Sequence, residues 1–285
     1  MKKIAFYATM MIIGSLMLSA CKGGLYKGFK KSDSGMYYRT ITKNADGQVP
    51  QMGDILFLTV SCHSNNDSIN NSEFFKSFEN RDMTDMLGES YYTHDLQEAY
   101  AMMKEGEEKE FILKADSFFL VGFDPTSIPS VVSSEDVLYI KLKLNRVATI
   151  EELMTEEADI IAKYVQDNNI TATPTEDGLY IEEIEAGTGN VVDSNNTILV
   201  NITLKDLKTD TIINSSAEMG TGEPLKFIYG QQPLLPVLDK SIATMKKGGK
   251  YKVICPDRMA YQGKYPNIPL CTPMLFEIEL IDIIK

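Results

Sequence analysis

The sequence predicts an α+β protein built from two tandem modules, and three observations lead to this prediction. The chain has 285 residues, close to twice the roughly 150 residues that one ordinary domain occupies. Short segments recur in the same order along the chain. Within each copy, strands with alternating apolar residues accompany a single amphipathic helix, which is typical of the α+β class.

The repeat is visible when the chain is compared with itself. Gly35–Tyr38 corresponds to Gly178–Ile181 at an offset of 143 residues. Met103–Gly106 corresponds to Met245–Gly248 at an offset of 142 residues, and further matches follow in the same order. A period this long predicts duplicated domains rather than a solenoid of short repeats.

A helical segment is expected between the two copies. From Ile150 to Asn168, apolar residues fall at helical spacing, and acidic residues cluster in the first turns, where the helix dipole favours negative charge. We therefore predict five parts of the chain: a signal peptide at residues 1–20, a tether at 21–34, a divergent first module at 35–148, a helical linker at 149–170 and a second module at 171–285.

The second copy shows its elements most clearly. Strands are expected at Asn196–Leu204, Lys250–Cys255 and Leu275–Ile283, where apolar residues alternate or form short runs. A helix is expected at Leu235–Met245, because its apolar residues fall three or four positions apart. One face of this helix is therefore expected to pack on the sheet.

The N-terminus has the pattern of a secretory signal. Lys2 and Lys3 precede an apolar run, Ile4–Leu18, that is too short for a comfortable membrane span. The run ends in Leu18–Cys21, which resembles the lipobox of bacterial lipoproteins, where the cysteine is acylated and becomes the first mature residue. We therefore expect a cell-envelope protein anchored in the membrane by a lipid on Cys21. No aspartate follows Cys21, as in lipoproteins of the outer membrane, and the leaflet stays open.

Composition excludes several classes of function. A net charge of −12 at pH 7 repels phosphate backbones, so nucleic acid is not an expected partner. Only His63 and His94 are histidines, which leaves little material for a histidine-based metal site or a Ser-His-Asp triad. His63 stands in a polar stretch that predicts a loop, whereas His94 precedes Asp95 at an expected helix N-terminus.

Three cysteines follow Cys21 in the chain: Cys62, Cys255 and Cys271. An odd number of cysteines does not form a disulfide framework. Cys255 and Cys271 pair if their strands are neighbours, and the alternative is that both are free, partly buried thiols.

Short motifs of the second copy occur in the order of a known family. They are Gly178–Tyr180, Gly187–Gly189, Asn214–Ser216, Pro224–Phe227, Gly230, Met245–Gly248, Pro256–Asp257, Ala260–Tyr261, Ile268–Pro269 and Leu275–Leu280. With these motifs, residues 178–285 resemble the FKBP-type peptidyl-prolyl isomerase family, and residues 35–147 resemble it more weakly, through the repeat. Tandem copies behind a lipobox resemble lipoproteins of Bacteroides-like bacteria. The resemblance implies two FKBP-like modules, each a curved antiparallel sheet around one helix.

The resemblance also implies candidate site residues. Tyr261 and Asn214 take the catalytic positions. The substrate-binding positions fall on Phe227, Leu234, Leu235, Leu238, Ile268 and Phe276. For Leu238 and Phe276 the alternative role is core packing, and for Asn214 it is capping a turn. The sequence departs from the family at Leu238, where tryptophan is usual, at Ile202, where tyrosine is usual, and at Asn214, where aspartate is usual.

The expected reaction is rotation about an Xaa-Pro bond, with a barrier of roughly 18–20 kcal/mol because amide resonance must be broken. The twisted amide is less polar than the planar one, so a dry apolar pocket favours it without a metal, cofactor or nucleophile. Two functions from different classes remain. One is a weak envelope isomerase that acts on proline-containing polypeptides through the second module. The other is a catalytically inactive lipoprotein that serves as a protein-binding module.

Overall fold

Strands of the N-terminal half form one antiparallel sheet. The structure is a computed structural model that describes residues 26–64, 66–77, 79–115, 118, 132–133, 136–217, 222–264 and 268–284. The predicted signal peptide and Cys21 lie outside the described residues. The strands of this sheet are β1 (Lys30–Lys31), β2 (Tyr37–Thr42), β3 (Ile55–Ser64), β4 (Arg81–Met86), β5 (Glu108–Lys114) and β6 (Val137–Ala148). They lie in the order β1-β2-β5-β6-β3-β4.

The C-terminal half forms a second antiparallel sheet. Its strands and those of a small two-stranded ribbon are β7 (Tyr180–Glu185), β8 (Thr188–Val191), β9 (Thr197–Asp206), β10 (Ile212–Ser215), β11 (Leu225–Ile228), β12 (Lys246–Lys247), β13 (Lys250–Cys255) and β14 (Met274–Ile284). The order is β7-β13-β14-β9-β10, with β11 beside the other end of β9 and the ribbon formed by β8 and β12. Without β1, the first sheet has this same order, so the sequence repeat corresponds to a repeat of topology.

The described part of the first module contains the short helices α1 (Asp67–Asn70), α2 (Glu73–Lys76) and α3 (Leu96–Ala101). The expectation of one helix per module is therefore wrong here, because α1 and α2 are inserted between β3 and β4. The Asn66 side chain caps α1 by accepting the N–H of Ser68, and buried Ile69 anchors that helix to the core. Asp95 caps α3, as the sequence predicts.

A long helix, α4 (Ile150–Asp167), joins the two sheets. It begins with a capping box in which Thr149 Oγ1 accepts the N–H of Glu152 and the Glu152 carboxylate accepts the N–H of Thr149. This box fixes the start of the helix where the acidic residues of the sequence predict it. Leu153, Glu157 and Ile161 are its buried residues, and their spacing of four places them on one face.

The buried face of α4 contacts both modules. Leu153 packs with Ile55 and Ala148 of the first module, and Leu270 of the second module packs against the same group. Ile161 packs with Ile254 and other residues of the second sheet. The linker helix is therefore part of two hydrophobic clusters, one at each end.

The second module has a single α-helix in its described residues, α5 (Pro236–Ile242). It is shorter than the predicted Leu235–Met245. Pro236 occupies the first turn, where a missing N–H costs nothing, and Ala243 ends the helix. Ile242 is fully buried in the core of the second sheet, as the apolar spacing predicts. Val237, which that spacing does not include, is fully buried as well, whereas Leu238 is only half-buried.

Two features of the N-terminal half differ from what the local sequence predicts. The described part of the predicted tether, residues 26–34, is attached to the first sheet: β1 pairs with β2, and the Tyr26 ring lies edge-on to Tyr37, with 4.9 Å between ring centroids. The prediction of a loop around His63 is wrong. His63 belongs to β3, which continues along β6 to Ser64, and the imidazole stacks on Tyr139.

Candidate functional site

Strand pairing brings two predicted site residues to one face of the second sheet. Asn214 of β10 lies opposite Leu204 of β9, and Leu204 lies opposite Phe276 of β14. Side chains that are directly opposite in neighbouring strands point to the same side. Leu204 and Phe276 are both buried, so this side faces the core. Asn214 is half-buried at the edge of that face, next to a β-bulge.

Strand β11 adds a further predicted residue to the same face. Phe227 pairs with Ile198 and Leu225 pairs with Val200, and both partners on β9 are fully buried. Phe227 and Leu225 are half-buried and pack against the core of the module. They therefore offer apolar surface beside that core.

The start of α5 supplies three further predicted site residues. Leu235 occupies the N-cap position, Leu234 precedes it, and Leu238 lies in the first turn. All three are half-buried and pack against the same core cluster as Phe227. Pro236 at the first helical position holds the backbone in a conformation suited to the helix. The helix start and β11 therefore frame one apolar patch.

The rim loop carries the last two predicted residues. We give this name to residues 257–271, of which 265–267 are outside the described set. Tyr261 is half-buried and Ile268 is 6% exposed. The predicted apolar and aromatic site residues all belong to one hydrophobic cluster: Phe227, Leu234, Leu235, Leu238, Tyr261, Ile268 and Phe276.

Burial divides these cluster residues into two groups. Phe276 is 1% exposed and Ile268 nearly as buried, so both pack inside the module. Phe227, Leu238 and Tyr261 are half-buried. The surface that the cluster presents to a ligand therefore comes from its half-buried residues, among which Tyr261 carries a hydroxyl.

A buried carboxylate pair at the base of the rim loop was not identified in the sequence. Asp257 is the first residue of the loop, and its N–H donates to Oε1 of Glu157, at 2.6 Å. Asp257 Oδ2 in turn accepts the N–H of Cys271, the last residue of the loop, at 3.1 Å. The two ends of the loop are thus joined to each other and to α4.

Burial also changes the acidity of this pair. Desolvation raises the pKa of the Glu157 carboxyl, and the N–H of Asp257 opposes that shift by stabilising the charged form. Desolvation raises the pKa of the Asp257 carboxyl as well, against the N–H of Cys271. Both pKa shifts arise because the two carboxyl groups are buried and have little access to water.

Cys62, Cys255 and Cys271 are free, which agrees with the unpaired alternative for the last two. Burial raises the pKa of the Cys255 thiol well above its usual range and raises that of Cys271 to about 11. The nucleophilic form of cysteine is the thiolate, so these thiols are unreactive at neutral pH. The described residues of the second module offer no activated cysteine.

Two further properties of the described ranges concern metal binding and membrane spans. Among those residues, no group of three or more His, Cys, Asp or Glu side chains is arranged to hold a metal ion. None of the helices found there is both long and apolar enough to cross a membrane.

A cavity of about 560 Å³ adjoins the cluster between the two modules. Phe57, Thr84 and Asn145 line it from the first sheet, and Ile268 and Pro269 line it from the rim loop. Ile268 therefore belongs both to the cavity wall and to the hydrophobic cluster. Thr84 lies on β4, the edge strand of the first sheet.

Comparison with known proteins shows which family the second module is similar to. Residues 189–281 match the family "FKBP-type peptidyl-prolyl cis-trans isomerase". This segment is similar to FKBP-type isomerases. It contains every predicted site residue from Asn214 to Phe276, including Tyr261 on the rim loop.

Individual relatives give the same family. The chain is 29% identical over 122 residues to "FKBP-type peptidyl-prolyl cis-trans isomerase FkpA" of Escherichia coli K12, covering 42% of this chain and 43% of that protein. It is 33% identical over 105 residues to the "46 kDa FK506-binding nuclear protein" of Spodoptera frugiperda, covering 36% of this chain and 25% of that protein. The chain thus spans less than half the length of these relatives.

Two solved structures align with part of the chain. The crystal structure of FkpA from Escherichia coli aligns with a TM-score of 0.38 and 26% identity, covering 47% of this chain and 63% of that one. A peptidyl-prolyl cis-trans isomerase from Pseudomonas syringae aligns with a TM-score of 0.40 and 23% identity, covering 48% of this chain and 98% of that one.

Proposed function

We propose that the second module catalyses cis-trans isomerisation of Xaa-Pro bonds in polypeptides. The observation that carries this proposal is the single cluster formed by the predicted site residues inside the FKBP-type segment. Half-buried Phe227 and Leu238 offer apolar surface for a proline ring, and Tyr261 of the same cluster supplies a hydroxyl. The substrate class is a proline-containing polypeptide segment.

The mechanism follows from what these side chains are able to do. The apolar surface holds the proline ring and excludes water, which favours the less polar twisted amide over the planar one. The Tyr261 hydroxyl donates a hydrogen bond to the carbonyl that precedes the proline while it rotates. Neither step forms a covalent bond to the protein, so none of the cysteines takes part.

The first prediction concerns the rate of this reaction. Wild-type protein accelerates exchange in a short proline peptide weakly, because Asn214 presents a neutral amide, and a carboxylate accepts hydrogen bonds roughly twice as strongly. Asn214→Asp is therefore expected to raise the rate, and Tyr261→Phe to lower it. Exchange spectroscopy by NMR measures all three proteins after circular dichroism confirms that each is folded.

Asn169→Asp provides the matched control. It makes the same chemical change at an exposed turn after α4, outside the cluster, and is expected to leave the rate unchanged. A wild-type protein with no rate above the uncatalysed reaction, together with an inactive Asn214→Asp, rejects the proposal that this module is an isomerase.

The second candidate function is a non-catalytic protein-binding module. The cavity between the modules favours it, because a client segment that contacts Ile268 also reaches Phe57 and the edge strand β4. Leucine at position 238, where the family usually has tryptophan, points the same way. Chemical-shift changes on adding the proline peptide, without any catalysed exchange, select this function over the first.

We further propose that the protein is anchored in the cell envelope, in the outer membrane, by a lipid on Cys21. The lipobox resemblance at Leu18–Cys21 and the two lysines before the apolar run support it. The described chain begins at Tyr26, which packs on the first sheet, so the first module lies a few residues from the anchor.

The second prediction tests this anchor. Cys21→Ser is expected to abolish lipid attachment and to release the protein from the membrane fraction, because serine supplies no thiol for acylation. Mass spectrometry of the N-terminal peptide and cell fractionation measure both effects. Cys62→Ser, which removes a thiol from β3, is the control and is expected to stay in the membrane fraction. A fully processed Cys21→Ser protein that still sediments with membranes contradicts the proposal.

A further inference from the structure

The rim loop contains two residues in an unfavourable backbone conformation. Gln262 has a φ of 55° and Cys271 a φ of 59°, in the left-handed region that favours glycine. Such residues persist only where the surrounding structure holds them. Tyr261 directly precedes Gln262, so whatever holds Gln262 also holds the backbone beside Tyr261.

Asp257 holds both of these residues. Its carbonyl oxygen accepts the N–H of Gln262 at 3.1 Å, and its Oδ2 accepts the N–H of Cys271 at 3.1 Å. Gly263 packs closely here as well: a Cβ at this position would lie 2.8 Å from Leu270 Cδ1. The described part of the loop is therefore folded around the Asp257 side chain and backbone.

Asp257 is itself held from outside the second sheet. Its N–H donates to Oε1 of Glu157 on α4, and the Glu157 side chain is buried. Leu153 and Ile161, one turn to either side of Glu157, are fixed in the packing of the first and the second module. Glu157 therefore occupies a rigid position on the helix that joins the two modules.

We propose that Glu157 is a positioning residue for the prolyl isomerase site. Through Asp257 it fixes the rim loop, and with it Tyr261, at the edge of the apolar cluster. This inference rests on the proposed isomerase function of the second module. It makes the linker helix, which lies outside the FKBP-type segment at 189–281, part of what sets the catalytic rate.

Two substitutions separate the hydrogen bond from the charge. Glu157→Gln keeps an oxygen that accepts the Asp257 N–H, whereas Glu157→Met keeps the length of the side chain and removes the acceptor. One net hydrogen bond is worth up to about a tenfold effect, so Glu157→Met is expected to lower kcat by about tenfold, with KM little changed. Glu157→Gln is expected to stay within about twofold of wild type. Glu151→Met, on the exposed side of the same helix, is the matched control and is expected to have no effect.

A double-mutant cycle tests whether Glu157 acts through Tyr261. If it does, Glu157→Met has little further effect in a Tyr261→Phe background, because the hydroxyl that it positions is already absent. A purely structural role predicts that the two losses multiply, and that Glu157→Gln does not restore kcat.

Hydrogen exchange provides a readout that does not depend on activity. In the full-length protein, Glu157→Met is expected to accelerate exchange of the Gln262 and Cys271 amides, while Glu157→Gln and Glu151→Met leave them protected. Faster exchange in a protein without catalysis rejects the isomerase function and keeps the positioning role. Unchanged exchange in Glu157→Met overturns the proposal whatever the activity.

If Glu157→Met does not fold, Glu157→Ala, which adds no bulk, is measured in its place. If neither variant folds while Glu157→Gln does, the residue is structural and the proposal fails.

Discussion

Phe276→Ala is expected to destabilise the second module by about 3–5 kcal/mol, the usual cost of truncating a fully buried phenylalanine. Phe276 is central to that module: it lies on β14, opposite Leu204 on one side and Val253 on the other, and all three are buried. The loss combines the transfer free energy of the ring with that of the cavity it leaves. The free energy of unfolding of an ordinary domain is about 5–15 kcal/mol, so this substitution is expected to remove a large part of the stability of the second module.

The effect of Phe276→Ala should be confined largely to one half of the chain. Hydrogen exchange resolves this, because the amides of β13 and β14 report on the second sheet and those of β5 and β6 on the first. Phe111→Ala is the matched variant: Phe111 is a fully buried phenylalanine on β5. It is expected to produce the opposite pattern. Equal loss of protection in both sheets for either variant contradicts two separately stabilised modules.

The shared helix α4 sets a limit on that independence. Its buried residues belong to clusters of both modules, so melting one end exposes apolar surface at the other. We therefore expect each variant to reduce protection across α4 as well as in its own sheet. The sequence indicates a helix in this position but gives no sign of this double packing, because helical spacing alone does not tell which partners cover a face.

Local patterns were sufficient for much of the second module. The apolar residues of Lys250–Cys255 predict β13 at its observed bounds, and the apolar spacing after Leu235 predicts that a helix is present there, with Ile242 buried but Leu238 only half-buried. In both cases the side chains that decide the structure lie next to each other in the sequence. The order of the strands in the sheet is a long-range property, and only the repeat hinted that both halves share it.

The first module shows where local patterns fail. The polar residues around His63 predict a loop, yet pairing with β6 extends β3 through them, since a neighbouring strand satisfies the backbone whatever the side chains. The inserted helices α1 and α2 depend on a cap at Asn66 and on one buried residue, Ile69. One capping residue and one buried residue occur together too often in sequences to distinguish a short helix from a turn.

The position of Glu157 in the sequence indicates that its side chain needs a buried partner. It stands midway between Leu153 and Ile161 at a spacing of four, on the apolar face of the predicted helix. A charged residue in that position needs a buried partner, because an unpaired carboxylate on such a face is costly. The partner, a backbone N–H on Asp257, is a hundred residues away in the chain. The sequence therefore indicates the need for a partner without identifying it.

Leu238→Trp is expected to raise the affinity of the site for proline peptides by about tenfold. Leu238 is half-buried in the first turn of α5, so part of a larger side chain at this position is expected to lie on the surface of the cluster. An indole adds roughly 50 Å² of apolar contact, and at about 25 cal/mol per Å² this corresponds to about one factor of ten in binding. The chain contains no tryptophan, so the substitution also introduces a single fluorophore at the site.

Fluorescence titration with the proline peptide measures this affinity directly, and NMR exchange gives KM for comparison with wild type. Gln232→Trp, on the exposed segment before α5, is the control: its fluorescence is expected to stay constant during the titration. The expected result is a fluorescence change in Leu238→Trp alone, with a KM lowered by about tenfold. If the peptide changes neither fluorescence nor KM in Leu238→Trp, the proline ring does not bind over α5, and the cavity lined by Phe57 and Ile268 becomes the remaining candidate for polypeptide binding.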